Sequence, residues 1–171
     1  MKRIMIVGNI ATGKSTYAKK LSQKLNIKVI HLDTLFFRPN CEFTPKEEWH
    51  NIVRNLAENE EWIIDGNYPN TLNIRAERAD TIIIFDFSRY LSYFYFFKRN
   101  LLKYFSKSIL SDRPQYGCER VSFNTLKRIW LFRYKTQKYY SDFYQMGNKN
   151  ILVFKKQADA YQYLNSLKNE N

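Results

Sequence analysis

The stretch Gly8–Ser15 reads G-x-x-x-x-G-K-S, which is the pattern of a phosphate-binding loop. A phosphate chain needs several converging backbone N–H groups, and glycines let the backbone curl closely enough to supply them. A helix that starts at the loop adds the positive end of its dipole. In such loops the lysine, here Lys14, reaches the outer phosphates, and the hydroxyl of Ser15 holds Mg²⁺. We therefore predict that nucleotide phosphates bind the loop and the first helical residues: Gly8, Asn9, Ile10, Ala11, Thr12, Gly13, Lys14, Ser15 and Thr16.

The flanks of this loop decide between a phosphate site and an accidental glycine-rich turn. Ile4–Val7 is a short apolar run, which is typical of a buried strand. From Thr16 to Leu25, apolar residues recur at helical spacing. The order is strand, loop and helix, as phosphate binding requires, and it favours the phosphate site.

Two carboxylates follow predicted strands further along the chain. Lys28–Leu32 is predicted to be the second strand and is followed by Asp33, and Trp62–Gly66, which ends in Asp65 and a glycine, is predicted to be the third. Because open α/β sheets bind ligands at the carboxyl ends of their strands, both acids are candidates for the site. Asp65 is a candidate to hold Mg²⁺ through its water shell. Asp33 either faces a ligand or caps a following helix, and its position alone leaves both open.

Arg75 and Arg78 are candidates for binding an anionic acceptor. They lie three residues apart on a predicted short helical segment and would share a helix face, where two guanidinium groups could clamp a phosphate. Pairing with Glu77 or Asp80 is the alternative.

The remaining pattern predicts one domain over residues 1–171. Thr44, Pro45 and Glu47 resemble a capping box at the start of a helix that runs to about Leu56. The aromatic run Tyr90–Phe105 is predicted to be a helix packed in the core. The other predicted elements are strands at Thr81–Asp86 and Asn150–Phe154 and helices at Phe123–Tyr144 and Ala158–Leu167. Five strands alternating with helices indicate an α/β fold with a parallel sheet covered on both faces.

The net charge of +12, from 28 basic and 16 acidic residues, is concentrated in one region. Between Arg89 and Tyr139 there are twelve basic and two acidic residues, a balance of +10. This excess could serve the phosphates of a small ligand or the backbone of a nucleic acid. The two cysteines, Cys41 and Cys118, lie far apart, which disfavours a disulfide framework and fits a reducing cytoplasm. No apolar stretch is long enough to predict a membrane span.

Several blocks together resemble the bacterial DNA topology modulation proteins, a family similar to adenylate kinase and small-metabolite kinases. They are the phosphate-binding loop, Val29–Asp33, Trp62–Tyr68 and Arg75–Asp86. The resemblance implies a P-loop NTPase fold of adenylate-kinase type, with five parallel strands in the order 2-3-1-4-5 and a helical lid. It also implies ATP with Mg²⁺ as the bound nucleotide.

The resemblance also implies roles for individual residues. Asp65 matches the acid that opens the third-strand motif of nucleotide kinases, and Asp33 matches the carboxylate that small-metabolite kinases present to the acceptor. Arg113 is implied to be a lid arginine, and Arg133 is a weaker candidate for the same role. Relatives usually carry further glycines at the positions of Ile10 and Ala11, so the sequence departs from the pattern there.

Two functions follow as expectations. The first is an ATP-dependent phosphotransferase with a small-molecule acceptor, catalysed by Lys14, Asp65 and lid arginines, with Asp33 at the acceptor hydroxyl. The second is a regulator that binds nucleic acid and uses ATP as a switch. A lid-like insertion at about residues 106–122 is expected to order over bound ATP, because it interrupts two helical patterns inside the basic region.

Overall fold

A five-stranded parallel sheet forms the centre of the computed structural model, which describes residues 1–38, 42–105 and 122–167. The order of the strands is β2-β3-β1-β4-β5, and every neighbouring pair is parallel. The predicted strand order is therefore confirmed. The strands are β1 (Arg3–Gly8), β2 (Val29–His31), β3 (Trp62–Asp65), β4 (Thr81–Phe85) and β5 (Asn150–Phe154).

Helices cover both faces of the sheet, as predicted. They are α1 (Lys14–Leu25), α2 (Leu32–Phe36), α3 (Lys46–Ala57), α4 (Leu72–Arg78), α5 (Arg89–Phe105), α6 (Phe123–Gln145) and α7 (Gln157–Ser166), with a 3₁₀ turn at Pro69–Thr71. No helix in the described parts of the chain combines the length and apolarity needed to cross a membrane.

Alternation of side chains along the strands divides the core into two clusters. In β1, Ile4 and Ile6 pack against α1 and α7, whereas Met5 and Val7 pack on the side of α3, α4 and α6. All four side chains are buried. Because successive residues of a strand point to opposite faces, a strand covered on both sides must be apolar throughout. This requirement explains the uninterrupted apolar run of β1.

The register of the strands brings three of their carboxyl ends together. Asp65, the last residue of β3, is the register partner of Ile6 on one side and of His31 on the other. The segments that leave β1, β2 and β3 therefore start from the same edge of the sheet. This is the edge at which parallel α/β sheets bind ligands.

The predicted capping box at Thr44 is wrong. The helix begins at Lys46, no side-chain cap is formed, and Pro45 takes the N-cap position. The Thr44 hydroxyl instead donates to the carbonyl oxygens of Leu35 and Phe36, at 3.0 Å each. The carbonyl oxygens at the C-terminal end of α2 thus bind the Thr44 hydroxyl, which is then not available to cap α3.

Burial of the aromatic helix in the core is also not observed for most of its rings. Phe96 is buried, but the side chains of Phe94, Phe97 and Phe105 are more than half exposed. The helix α5 packs mainly against α6 rather than against the sheet. Its N-terminal turns reach the core through Leu91 and Tyr95.

Asp80 ties the start of β1 to the start of β4. Its Oδ2 accepts hydrogen bonds from the backbone N–H groups of Lys2 and Arg3, each at 2.8 Å, and its Oδ1 accepts one from the Thr81 hydroxyl at 2.7 Å. Partial burial acts to raise the pKa of Asp80, but these hydrogen bonds outweigh it and hold the pKa below its ordinary value.

We expect Asp80→Ala to lower the free energy of unfolding at pH 7 by about 1–3 kcal/mol, since it removes the acceptor of three hydrogen bonds. A lowered folded-state pKa stabilises the protein above the unfolded-state pKa, about 3.9, and the effect is lost as the pH falls through the lower folded-state value. Denaturant titrations should therefore show a smaller difference in the free energy of unfolding between the natural chain and Asp80→Ala at about pH 3 than at pH 7. The exposed Glu60→Ala is the control, with an expected change within about 0.5 kcal/mol. A difference that does not vary with pH would contradict the assignment.

Candidate active site

The phosphate-binding loop leaves β1 at Gly8 and enters α1 at Lys14. Gly8 has a φ of 149°, and a Cβ at this position would lie 2.6 Å from both the Cβ and the carbonyl oxygen of Phe85 on β4. Only glycine fits this contact. Ala11, one of the two positions where further glycines were expected, has a φ of 61° and adopts the left-handed conformation without glycine.

Side chains from distant parts of the chain hold the loop in place. Asn67 makes two hydrogen bonds to Gly8: its Oδ1 accepts from the backbone N–H at 3.0 Å, and its Nδ2 donates to the carbonyl oxygen at 2.8 Å. Asn9 is buried and donates to the carbonyl oxygen of Ile129 on α6 at 3.1 Å. The loop is thus bound on one side to the segment after β3 and on the other side to α6.

Asp65 is buried at the end of β3, with 4% of its surface exposed. Its Oδ2 lies 3.0 Å from Nδ1 of His31. Burial acts to raise the pKa of Asp65, but the hydrogen bond from His31, the positive charge of Lys14 and the nearby Ser15 hydroxyl together lower it. An ionised carboxylate can only accept, so Nδ1 of His31 carries the proton.

The residues around Asp65 fit a Mg²⁺ ion. The second oxygen, Oδ1, is buried and has no hydrogen-bond partner among the described residues. A buried, ionised carboxylate oxygen beside a serine hydroxyl is a suitable pair of donors for a hard cation. The described residues contain no cluster of three His, Cys, Asp or Glu side chains that could hold a metal ion. Ser15 and Asp65 are therefore the residues that could hold such an ion at this end of the sheet.

Asp33 lies in the first turn of α2, and the N-cap position of that helix is occupied by His31. The interpretation of Asp33 as an N-cap is therefore wrong. Its Oδ1 accepts a hydrogen bond of 2.6 Å from the hydroxyl of Tyr68. The ring of Tyr68 packs against Phe36 and Trp49, with centroids 4.8 and 4.9 Å apart. The carboxylate is thus oriented by a tyrosine that is itself held by aromatic neighbours.

One cavity of about 850 Å³ brings most of these groups together. It is lined by the loop residues from Ile10 to Thr16 other than Thr12, by both carboxylates, and by side chains that the sequence did not predict. Among these additional residues are Phe36, Phe37, Phe43, Trp49, Tyr68, Arg99 and Arg128. The carboxylates could be found from their places at strand ends, whereas the aromatic residues and arginines carry no comparable pattern in sequence.

Arg75 and Arg78 do not form the predicted anion clamp. Arg75 is fully buried, and its guanidinium donates to the carbonyl oxygens of Gly66 and Asn67 at 2.7 Å each and of Tyr68 at 3.3 Å. Arg78 is exposed, and neither residue lines the cavity. The segment 66–68 folds around the guanidinium, and its carbonyls take the donors that a ligand would have needed.

The charge of Arg75 persists in this buried position. Burial lowers the pKa of its guanidinium to about 9, although attraction to Asp65 and Tyr68 acts to raise it. This value remains well above neutral pH, so the side chain stays a cation. Arg75 therefore contributes a permanent positive charge beneath the segment that follows Asp65.

Of the two predicted lid arginines, Arg133 lies within the described residues and Arg113 does not. Arg113 and most of the insertion at 106–122 lie outside the described residues; Ser122, at its end, is the N-cap of α6 and lines the cavity. Arg133 is mostly exposed, lies 3.3 Å from Asp86 and does not line the cavity.

The fold matches two solved shikimate kinase structures. The enzyme from Aquifex aeolicus has a TM-score of 0.54 at 18% identity, and the match covers 95% of this chain and 92% of that one. The enzyme from Acinetobacter baumannii, solved in complex with shikimate, has a TM-score of 0.63 at 12% identity, with 96% and 89% covered. The likeness establishes the P-loop fold of adenylate-kinase type.

No protein-family model matches the chain, and no curated protein matches it. The resemblance to the DNA topology modulation proteins therefore stays a prediction. The comparisons give no support to nucleic-acid binding.

We expect Arg75→Met to lower the free energy of unfolding by about 3 kcal/mol, because it leaves the carbonyls of segment 66–68 without their donor. The matched control is Arg78→Met on the same helix, which should change it by less than about 0.5 kcal/mol. Denaturant titration of both variants measures the difference. Equal stabilities of the two variants would contradict the structural role of Arg75.

Proposed function

We propose that this protein is an ATP-dependent phosphotransferase that phosphorylates a hydroxyl group of a small molecule. The observation that carries the proposal is one cavity that holds the phosphate-binding loop, Asp65 and Asp33. The shikimate kinases that share the fold are consistent with it, and the structure of the Acinetobacter enzyme contains a small-molecule ligand.

Phosphoryl transfer requires mainly that the reactants are positioned and that the charge of the phosphates is neutralised. The N–H groups of the loop and the N-terminus of α1 would bind the β- and γ-phosphates. Lys14 would move from its present contact, 2.7 Å from the carbonyl oxygen of Asn9, to these phosphates. Arg99 and Arg128 line the same cavity and would add positive charge. Mg²⁺ held by Ser15 and Asp65 would supply further neutralisation of the phosphate oxygens.

Asp33 would act on the acceptor. It is held by the Tyr68 hydroxyl, so one carboxylate oxygen has a fixed direction. The carboxylate would accept the proton of the acceptor hydroxyl. At the same time the oxygen of that hydroxyl would bond to the γ-phosphorus, and the bond between the γ-phosphorus and the β–γ bridging oxygen would break. The products would be ADP and a phosphate ester. Arg113 remains a proposed lid arginine, and Arg133 is the weaker candidate because it lies near Asp86 outside the cavity.

We expect two single substitutions to separate binding from transfer. Lys14→Ala should abolish MgATP binding in calorimetry, because it removes the cation that contacts the outer phosphates. Asp33→Asn should leave MgATP affinity unchanged but lower kcat/KM for acceptor phosphorylation by roughly 100-fold or more, since an amide cannot take a proton.

Lys19→Ala, an exposed lysine one turn further along α1, is the control for the loss of a positive charge. MgATP affinity unchanged in Lys14→Ala would rule out the proposed nucleotide site. If Asp33→Asn weakened MgATP binding as much as Lys14→Ala does, the separate role of Asp33 would be contradicted.

A further inference from the structure

His31 is the last residue of β2 and the register partner of Asp65 on β3, so the two side chains lie next to each other on the same face of the sheet. Nδ1 of His31 lies 3.0 Å from Oδ2 of Asp65. The side chain of His31 is 13% exposed and is not among those that line the cavity, whereas Asp65 is. The imidazole therefore acts on the cavity through the carboxylate of Asp65.

This hydrogen bond restricts a rotation that the aspartate side chain itself leaves open. The last torsion of an aspartate is broad and roughly two-fold, so torsional preference alone does not direct the two carboxylate oxygens. When Oδ2 accepts from Nδ1–H of His31, Oδ1 keeps one direction as well. Oδ1 is buried and has no hydrogen-bond partner among the described residues. The oxygen that the imidazole does not bind is therefore the one that can serve a cation.

Lys14 and Arg75 also act on Asp65, through their charges. The positive charge of Lys14 lowers the pKa of Asp65, and the charge of Arg75 is attracted to the same carboxylate. Attraction between charges depends mainly on distance, whereas a hydrogen bond also requires alignment of donor and acceptor. In the proposed function Lys14 moves to the phosphates when the nucleotide binds, while His31 keeps its contact because it lies outside the cavity. The imidazole thus adds a direction to the charge that the two cations supply.

Resting on the proposed function, we infer that His31 is a positioning residue for Mg²⁺: its Nδ1–H holds Oδ2 of Asp65 and thereby leaves Oδ1 directed at the ion and its water shell. The observation that carries the inference is the contact of His31 with one oxygen of a carboxylate whose other oxygen is buried without a partner among the described residues. Side chains that hydrogen-bond to metal ligands orient those ligands, and their loss typically lowers metal affinity by about 10–100-fold.

Three substitutions of His31 separate the hydrogen-bond donor from the ring. In His31→Asn the amide nitrogen is attached to Cγ, as Nδ1 is in histidine, so a donor is kept at the same distance along the side chain. In His31→Gln the amide lies one bond further from the backbone, and His31→Leu has no donor. Asparagine should therefore replace the histidine in holding Asp65, whereas glutamine and leucine should not.

The probe is a non-hydrolysable ATP analogue, whose affinity is measured by calorimetry in excess Mg²⁺ and again in EDTA. The ratio of the two affinities is the gain that Mg²⁺ provides, and it does not depend on turnover. Because the analogue is the same throughout, differences in this gain between variants report the Mg²⁺ affinity of the protein–nucleotide complex. We expect His31→Leu and His31→Gln to lower the gain by about tenfold, and His31→Asn to keep it within about threefold of the natural chain.

His50→Leu is the matched control, because it removes the other of the two histidines of the chain, which lies on α3 and does not line the cavity. Its gain from Mg²⁺ should equal that of the natural chain. Denaturant titration without ligand checks that each variant folds, and if His31→Leu does not fold, the comparison of His31→Asn with His31→Gln decides alone.

The double variant with Asp65→Asn tests whether His31 acts through Asp65. Substitutions at two residues that act as one unit are not additive. His31→Leu should therefore lower the gain from Mg²⁺ no further when Asp65 is already asparagine. A further loss in the double variant would overturn the positioning role, because it would show that His31 acts by another route.

Failure of the inference can be distinguished from failure of the proposed function. An unchanged gain in His31→Leu and His31→Gln, or an equal loss in His31→Asn, would overturn the positioning role and keep the phosphotransferase. No gain from Mg²⁺ in the natural chain would overturn the metal assignment and with it the role of His31, while analogue binding that depends on Lys14 would still support the nucleotide site. No binding of the analogue under either condition would overturn the proposed function itself, together with the inference that rests on it.

Discussion

The geometry of the candidate active site depends on the guanidinium of Arg75, a cation that is fully buried and does not line the cavity. The guanidinium of Arg75 binds the backbone carbonyls of residues 66–68. With these carbonyls fixed, the side chain of Asn67 is placed to bond Gly8, and that of Tyr68 to bond Asp33. The phosphate-binding loop and the carboxylate of Asp33 are therefore held relative to each other by one short segment. Because a buried charge must be fully hydrogen-bonded, the segment has little freedom to adopt another path.

The parallel sheet provides the frame for this segment. Its register places Asp65 between Ile6 and His31, so the side chain at the end of β3 meets the loop after β1 and the imidazole of β2. Burial would otherwise favour the neutral acid. The proton on His31 and the charge of Lys14 lower the pKa and keep the carboxylate charged before any metal or nucleotide binds. The site is thus organised electrostatically in advance, and little rearrangement should be needed at Asp65.

The sequence predicts the parts of this site that depend on local patterns. A strand, a glycine-containing loop and a helix can be identified within the first 25 residues, and the places of Asp33 and Asp65 follow from the ends of apolar runs. The order of the strands came from the resemblance to known P-loop proteins and is confirmed. Such features are repeated in many proteins and have fixed spacing, which is why they can be predicted.

The contacts that the sequence did not predict join residues far apart in the chain. Asn67 and Gly8 are 59 positions apart, and Tyr68 and Asp33 are 35 apart. For Arg75 the spacing to Arg78 indicated a shared helix face that could bind an anion, but burial of one guanidinium under a turn cannot be inferred from helical periodicity. Thr44 shows the same limit, because a carbonyl of α2 competes with the helix for its hydroxyl.

In the proposed reaction, one cavity brings ATP and an acceptor hydroxyl together at Asp33. A crystal structure with Mg²⁺ and a non-hydrolysable ATP analogue would show whether it does. We expect the β- and γ-phosphates in the loop Gly8–Ser15, Mg²⁺ beside Ser15 and Asp65, and the γ-phosphate facing the space in front of Asp33. Phosphates bound away from the loop, or a γ-phosphate separated from Asp33 by protein, would rule out this reaction at Asp33.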